Sequence, residues 1–232
     1  MKNRIALMAS LLAIGSTAAL AGDGAPGWLD GWTVGIGGAQ IHKRLTMEDL
    51  QGPFTPPGLK LGVDTSSTLM LSLSRRLNDG LELQLVGGWP PTEKITGSGP
   101  ATVGSVPFNG VEITRLKQLA PTLLLNFAPK TQGAFEPYFG VGINYTHFYD
   151  IKSTAAGDAV SGGPTVTTQD DSWGAAAQLG LRYRFMDHWK FDVSVLKADV
   201  SSKLTAKTSG VTREARMDFD PTVGVMAIDY SF

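Results

Sequence analysis

Leu69-Met70-Leu71-Ser72-Leu73-Ser74, then Asn78-Asp79-Gly80, then Leu81-Glu82-Leu83-Gln84-Leu85-Val86, is the stretch that decides the fold. Leucine at every second position on both sides of a turn tripeptide has the period of a β-strand, whose successive side chains point to opposite faces. The two runs form a hairpin with one leucine face. The other face carries Met70, Ser72, Ser74, Glu82, Gln84 and Val86.

The same alternation recurs over residues 32–41, 116–128, 135–148, 173–185, 189–200 and 220–232, which with the hairpin predicts eight strands. Connections alternate in length. Residues 78–80, 129–134 and 186–188 are short turns, whereas 43–66, 90–114, 149–172 and 201–219 are long and rich in Gly, Pro, Ser, Thr or Asp. Short turns on one rim and long loops on the other describe an all-β, eight-stranded, antiparallel up-and-down transmembrane barrel. Strands and connections agree on one topology.

Composition narrows the chemistry. The 232 residues include 28 glycines and no cysteine, which excludes disulfide scaffolds, thiolate zinc sites and cysteine nucleophiles. Twenty basic residues against 21 acidic ones leave no electrostatic footprint for nucleic acid. No segment reaches the roughly 20 apolar residues of a membrane helix. Lys2 and Arg4, the apolar run 5–12 and the small-x-small site Ala19-Leu20-Ala21 predict a cleaved secretory signal over residues 1–21, leaving 22–232 as a single barrel domain.

A closed eight-stranded barrel turns its apolar stripe outward in lipid and inward in water, so a soluble lipocalin-like barrel is the competing architecture. The aromatics favour lipid. Phe127, Phe135, Phe185, Trp189, Tyr230 and Phe232 fall near the short turns or the C-terminus, and Trp89, Tyr145 and Trp173 near the long loops. Two such belts are what the two interfaces of a bilayer select. Tyr230 and the terminal Phe232 resemble the signal by which outer-membrane barrels are recognised by the assembly machinery.

The inward positions divide into two zones. Near the short-turn rim, hairpin register sets Arg76 opposite Glu82 and Arg182 opposite Asp192, with Arg184, Lys190, Asn126, Gln178 and Asp229 at similar depth. Buried charges persist only when paired, so this predicts a closed polar floor, with an ion-selective constriction as the alternative. Toward the long-loop rim the inward residues are Ile41, Met70, Val86, Leu116, Phe148, Leu196, Val200 and Val223, interspersed with Gly88, Gly142, Gly174 and Ala198. They line an apolar channel for oily solutes, or simply fill a narrow barrel. Pro121, inside the fourth strand, lacks a ladder donor and marks either a lateral weak point or a bulge. The glycines of 35–38 and 140–142 precede no helix and read as inward strand positions, and the three histidines show no metal spacing; no cofactor, metal or catalytic site is expected.

Pro137-Tyr138-Phe139-Gly140-Val141-Gly142-Ile143-Asn144-Tyr145-Thr146 resembles the fifth-strand signature of the OmpW family of small outer-membrane barrels. Ala120-Pro121-Thr122-Leu123, Asp171-Ser172-Trp173-Gly174, and Asp220-Pro221 with Tyr230 and Phe232 resemble further family motifs in the same order. The resemblance implies a barrel in the outer membrane of a Gram-negative cell with a hydrophobic channel for small hydrophobic molecules, and no catalytic residues. The long loops, residues 90–114 above all, depart from it. A monomeric conduit is therefore expected, the alternative being a structural or adhesive barrel whose loops bind an external partner.

Overall fold

The computed structural model describes residues 27–232 except 48, 56, 101, 104, 105 and 130; the expected signal at 1–21 lies outside the described residues. After a 3-10 turn at Gly27–Leu29 come β1 (Trp32–Met47), β2 (Lys60–Val63), β3 (Ser66–Arg76), β4 (Leu81–Gly88), β5 (Thr92–Ser98), β6 (Thr102–Val103), β7 (Val106–Pro107), β8 (Glu112–Leu119), β9 (Thr122–Phe127) and β10 (Phe135–Ser153). Helix α1 (Ala155–Ser161) precedes β11 (Thr165–Gln169), β12 (Ser172–Arg184), β13 (Trp189–Ala198), β14 (Val200–Thr208) and β15 (Val211–Ser231). Eight of the strands form a closed antiparallel ring, β1-β3-β4-β9-β10-β12-β13-β15 and back to β1.

Alternation sorts the side chains as a lipid-embedded barrel requires. Ile36, Leu69, Leu83, Leu85, Leu123, Leu125, Val141, Ile143, Leu179, Val195, Met226 and Ile228 are exposed on the outside, where a water-soluble barrel would bury them. At the short-turn rim Trp189 packs on Tyr230 and Tyr230 on Phe232, with ring centroids 4.9 and 5.1 Å apart. At the other rim Trp89 and Trp173 stand exposed, and Tyr145 lies 4.6 Å from the Trp173 ring.

The long connections lie on one rim as expected, but much of their length is strand. β1, β10 and β15 run on past the ring, to Met47, to Ser153 and from Val211, and β2, β5, β8, β11 and β14 pair beside them. The cause is a second apolar core, in which Leu59, Leu61, Ile95, Phe108, Leu116, Phe148, Val200, Leu204, Met217 and Phe219 pack together. Outside the membrane the opposite face is wet, so Arg216 and Asp218 alternate with Met217 and Phe219 and give the segment a loop-like composition.

The expected fourth strand, residues 116–128, is split into β8 and β9 at Ala120 and Pro121. Along β10 the two halves keep one register, His147 opposite Leu119 and Asn144 opposite Thr122, bridged by the Tyr145 amide donating to the Pro121 carbonyl at 3.0 Å. On the other side the ladder lapses. The pairing of β4 with β9 ends at Val86 and Thr122, and that of β5 with β8 begins at Thr92 and Lys117, so residues 87–91 face 118–121 without ladder pairs. Pro90, Pro91 and Pro121 supply no amide to close this gap.

Candidate functional site

The floor is organised around Arg182, 2% exposed. Its Nη1 and Nη2 donate to the two Glu82 carboxylate oxygens at 2.9 and 2.7 Å, and its Nε donates to Asp192 at 3.1 Å. An Asp229 oxygen lies 3.6 Å from the same Nε. Tyr138 lies under the guanidinium, 4.3 Å from ring centroid to Cζ, and its hydroxyl donates to Asp192 at 2.9 Å. Gln178 donates to the Tyr138 hydroxyl and to Ser194, each at 3.2 Å, and Asn126 donates to Gln84 at 2.9 Å.

Closer to the short-turn rim, Glu136 accepts from Lys190 at 2.8 Å and from Arg184 at 2.6 Å. Arg182 thus serves Glu82, Asp192 and Asp229, and Glu136 is shared by Lys190 and the part-exposed Arg184. Such pairing, with bidentate geometry at the centre, is the condition under which ions tolerate removal from water. Gly35 makes room for the network, because a Cβ there would lie 2.2 Å from an Asp229 oxygen and 2.3 Å from the Ser72 hydroxyl. Gly38, by contrast, points outward with nothing within 4 Å.

The structure buries Glu82, Asn126, Gln178, Arg182, Lys190, Asp192 and Asp229 and leaves Arg184 part-exposed toward the rim, and the partners differ from expectation in one respect. Arg76 stands opposite Glu82 in the ladder, as expected, yet its guanidinium donates to the Ala128 carbonyl at 3.3 Å while Glu82 gives both oxygens to Arg182. Hairpin register gives the neighbour but not the bond, because Arg182 reaches across the lumen to a carboxylate a hundred residues away.

Above the floor lies a cavity of about 90 Å³, counted as space open to the centre of a water molecule. Ile41, Met70, Val86, Phe148, Leu196, Val200 and Val223 line it, with Gly88 and Ala198. Leu116 does not; it packs in the second apolar core, beyond the ring. Part of the wall is polar but bonded to itself, Asn144 donating to Thr122 at 2.9 Å and Thr146 donating to Asn144 at 2.8 Å. Both flanks of the lapsed ladder contribute lining, Gly87, Gly88 and Pro91 from one and Gln118 and Ala120 from the other.

Four residues that sequence reasoning passed over complete the site. Tyr138 and Glu136 share the inward parity of β10 with Asn144 and Phe148, so alternation alone would have found them. Lys43 and Glu93 lie in what reads as loop; they form a 2.7 Å ion pair with side chains 4% and 3% exposed, and Ser66 donates to the same carboxylate at 2.9 Å. This pair ties β1 to β5 beyond the last pair of β1 with β3, Ile41 with Ser66. No motif announces it.

Outer membrane protein W of Vibrio cholerae is 29% identical to this chain over 174 residues, 75% of this chain and 77% of its own length. PahQ of Pseudomonas aeruginosa, a dibenzothiophene metabolism operon protein, is 22% identical over 203 residues, covering 87% of this chain and 88% of its own. The crystal structure of the outer membrane protein OprG from Pseudomonas aeruginosa matches with a TM-score of 0.77 at 27% identity, over 87% of this chain and 95% of that one. A barrel with a lipid-facing exterior and relatives of this kind resides in the outer membrane. The family model for OmpW matches residues 36–232, and the chain belongs to the OmpW family of outer-membrane proteins.

Proposed function

We propose that this protein is a passive, monomeric conduit that assists small hydrophobic molecules across the outer membrane, releasing them sideways into the lipid. The observation that carries the reading is an apolar cavity set above a sealed, charged floor and beside a wall segment, 87–91 against 118–121, that has no ladder hydrogen bonds. A solute with about 200 Å² of apolar surface gains about 5 kcal/mol on leaving water for such a wall. Passage onward through the floor would cost it that gain and would part the Arg182 ion pairs, whereas the lateral route breaks no ladder bond. Pro121 is then the lateral weak point. That a relative takes its name from a dibenzothiophene metabolism operon agrees with an aromatic cargo. Tyr230 and Phe232 serve as the assembly signal read by the barrel assembly machinery.

Uptake of a small hydrocarbon by cells expressing the wild type, compared with Met70→Asp and Leu196→Asp, tests this. Both residues line the cavity, so an inward carboxylate is expected to remove the gain in uptake while the lipid face stays intact. Equal uptake in wild type, in the well-folded variants and in cells without the protein would refute the conduit. Loss of binding to an external partner on trimming residues 90–114, with uptake unchanged, would favour an adhesive barrel instead.

A further inference from the structure

We infer that the outward face of β5, β8 and β10, above the membrane, is a binding site for the phosphorylated glycolipid of the outer leaflet, holding its lipid A phosphates. Lys94, Arg115, Lys117 and Lys152 stand together on three hydrogen-bonded strands. The register sets Lys94 opposite Arg115 and Arg115 opposite Lys152, while Lys117 lies opposite both Thr92 and Tyr149. Their side chains are 56, 56, 40 and 73% exposed, respectively. Two carboxylates are set among them. Glu112 bonds Arg115 and lies 3.6 Å from Lys94, and Asp150 lies 2.7 Å from Lys152 and 3.6 Å from Lys117. Four cations on two carboxylates leave two positive charges facing outward.

A local irregularity builds the patch. Between Tyr149 and Lys152 three residues of β10 advance against two of β8, with Asp150 in the left-handed region at φ 52. The bulge reverses the alternation, so that Lys152 joins Tyr149 outside and Ile151 turns in against the apolar core. Unbroken pairing would have exposed the isoleucine and buried the lysine.

Its height suits a lipid headgroup. Tyr145, in contact with Trp173, marks the membrane interface on the same strand. Four residues of tilted strand place Tyr149 and Lys117 about 10 Å above it, and Arg115 and Lys152 about 5 Å higher. From this height the long side chains reach back toward the outer-leaflet phosphates; arginine binds phosphate through paired N–H groups, and lysine reaches it as a mobile charge. Around the barrel, on β14 and β15, Lys203 and Arg216 each stand against an acid of their own, Glu214 at 2.7 Å and Asp218 at 3.8 Å. The inference is independent of the conduit.

The test uses the full chain refolded into phosphatidylcholine nanodiscs, titrated with diphosphoryl lipid A or with lipid A stripped of its phosphates, in about 150 mM salt to suppress unspecific attraction. Lys94→Gln/Arg115→Gln/Lys117→Gln/Lys152→Gln takes the patch from a net +2 to −2, and the loss of even its two uncompensated charges predicts at least about 30-fold weaker binding of the diphosphoryl lipid. Lys203→Gln/Arg216→Gln, which removes positive charge from the other face, is expected to bind as the wild type does, and the dephosphorylated lipid is expected to distinguish none of them. Equal wild-type affinity for the two lipids would overturn the inference, as would an equal loss in the Lys203/Arg216 variant or displacement of the lipid by inorganic phosphate at matching concentration. A heat-modifiable gel shift reports folding, and Lys117→Gln/Lys152→Gln gives the same reading with two exposed substitutions should the quadruple variant not fold.

Discussion

Arg182→Met is the most exacting test of the sealed floor. The guanidinium serves three carboxylates, Glu82 through two bonds of 2.9 and 2.7 Å, Asp192 at 3.1 Å and Asp229 at 3.6 Å, in a site where every partner side chain is 6% exposed or less. Removing it leaves those charges facing one another out of water, a situation that costs about 3–5 kcal/mol for a single broken pair. A loss of about 4 kcal/mol is expected. Glu82→Gln alone should cost less, about 2 kcal/mol, because Arg182 keeps Asp192 and Asp229. The double variant should fall near 3 kcal/mol, which makes the coupling about 3 kcal/mol. Urea unfolding in lipid vesicles, followed by tryptophan fluorescence and by heat-modifiable migration, measures all three. Were the floor wet, the pair would behave as an exposed one, with a loss under about 1 kcal/mol and no coupling. That result, or single-channel conductance in the wild type equal to that of Arg182→Met, would refute the reasoning.

Lys43→Met strands Glu93, whose side chain is 3% exposed, and is expected to cost about 3 kcal/mol in the same urea assay, with Lys43→Met/Glu93→Gln recovering most of the loss; independent, additive effects would show that the pair does not tie β1 to β5. Gly35→Val is expected to block assembly of the heat-modifiable form, since its Cβ would lie 2.2 Å from Asp229, whereas Gly38→Val, with nothing within 4 Å, should assemble normally; equal yields would count against a packed floor.

The eight strands, the lipid-facing side and the polar and apolar zones of the lumen were legible in the residues, because alternation is a local property: once Leu83 and Leu85 face lipid, Glu82 and Gln84 must face in. The hairpin pairs Arg76 with Glu82 and Arg182 with Asp192 followed from turns of a few residues for the same reason. Only the closed structure decided which inward groups meet. Closure of β1 on β15 fixes the stagger of the ring, and the stagger sets Arg182 level with Glu82 across the lumen, brings Asp229 beside both, and slides Tyr138 beneath the guanidinium. The extension beyond the membrane was hidden for a related reason. Its outward face meets water rather than lipid, so Lys203, Glu214 and Arg216 gave strands the composition of loops, and the apolar residues between them became a core only when Leu204, Met217 and Phe219 met Leu61, Ile95 and Phe148 from distant parts of the chain. Strand and face are written in neighbouring residues; partners across a barrel depend on a register summed around the whole ring.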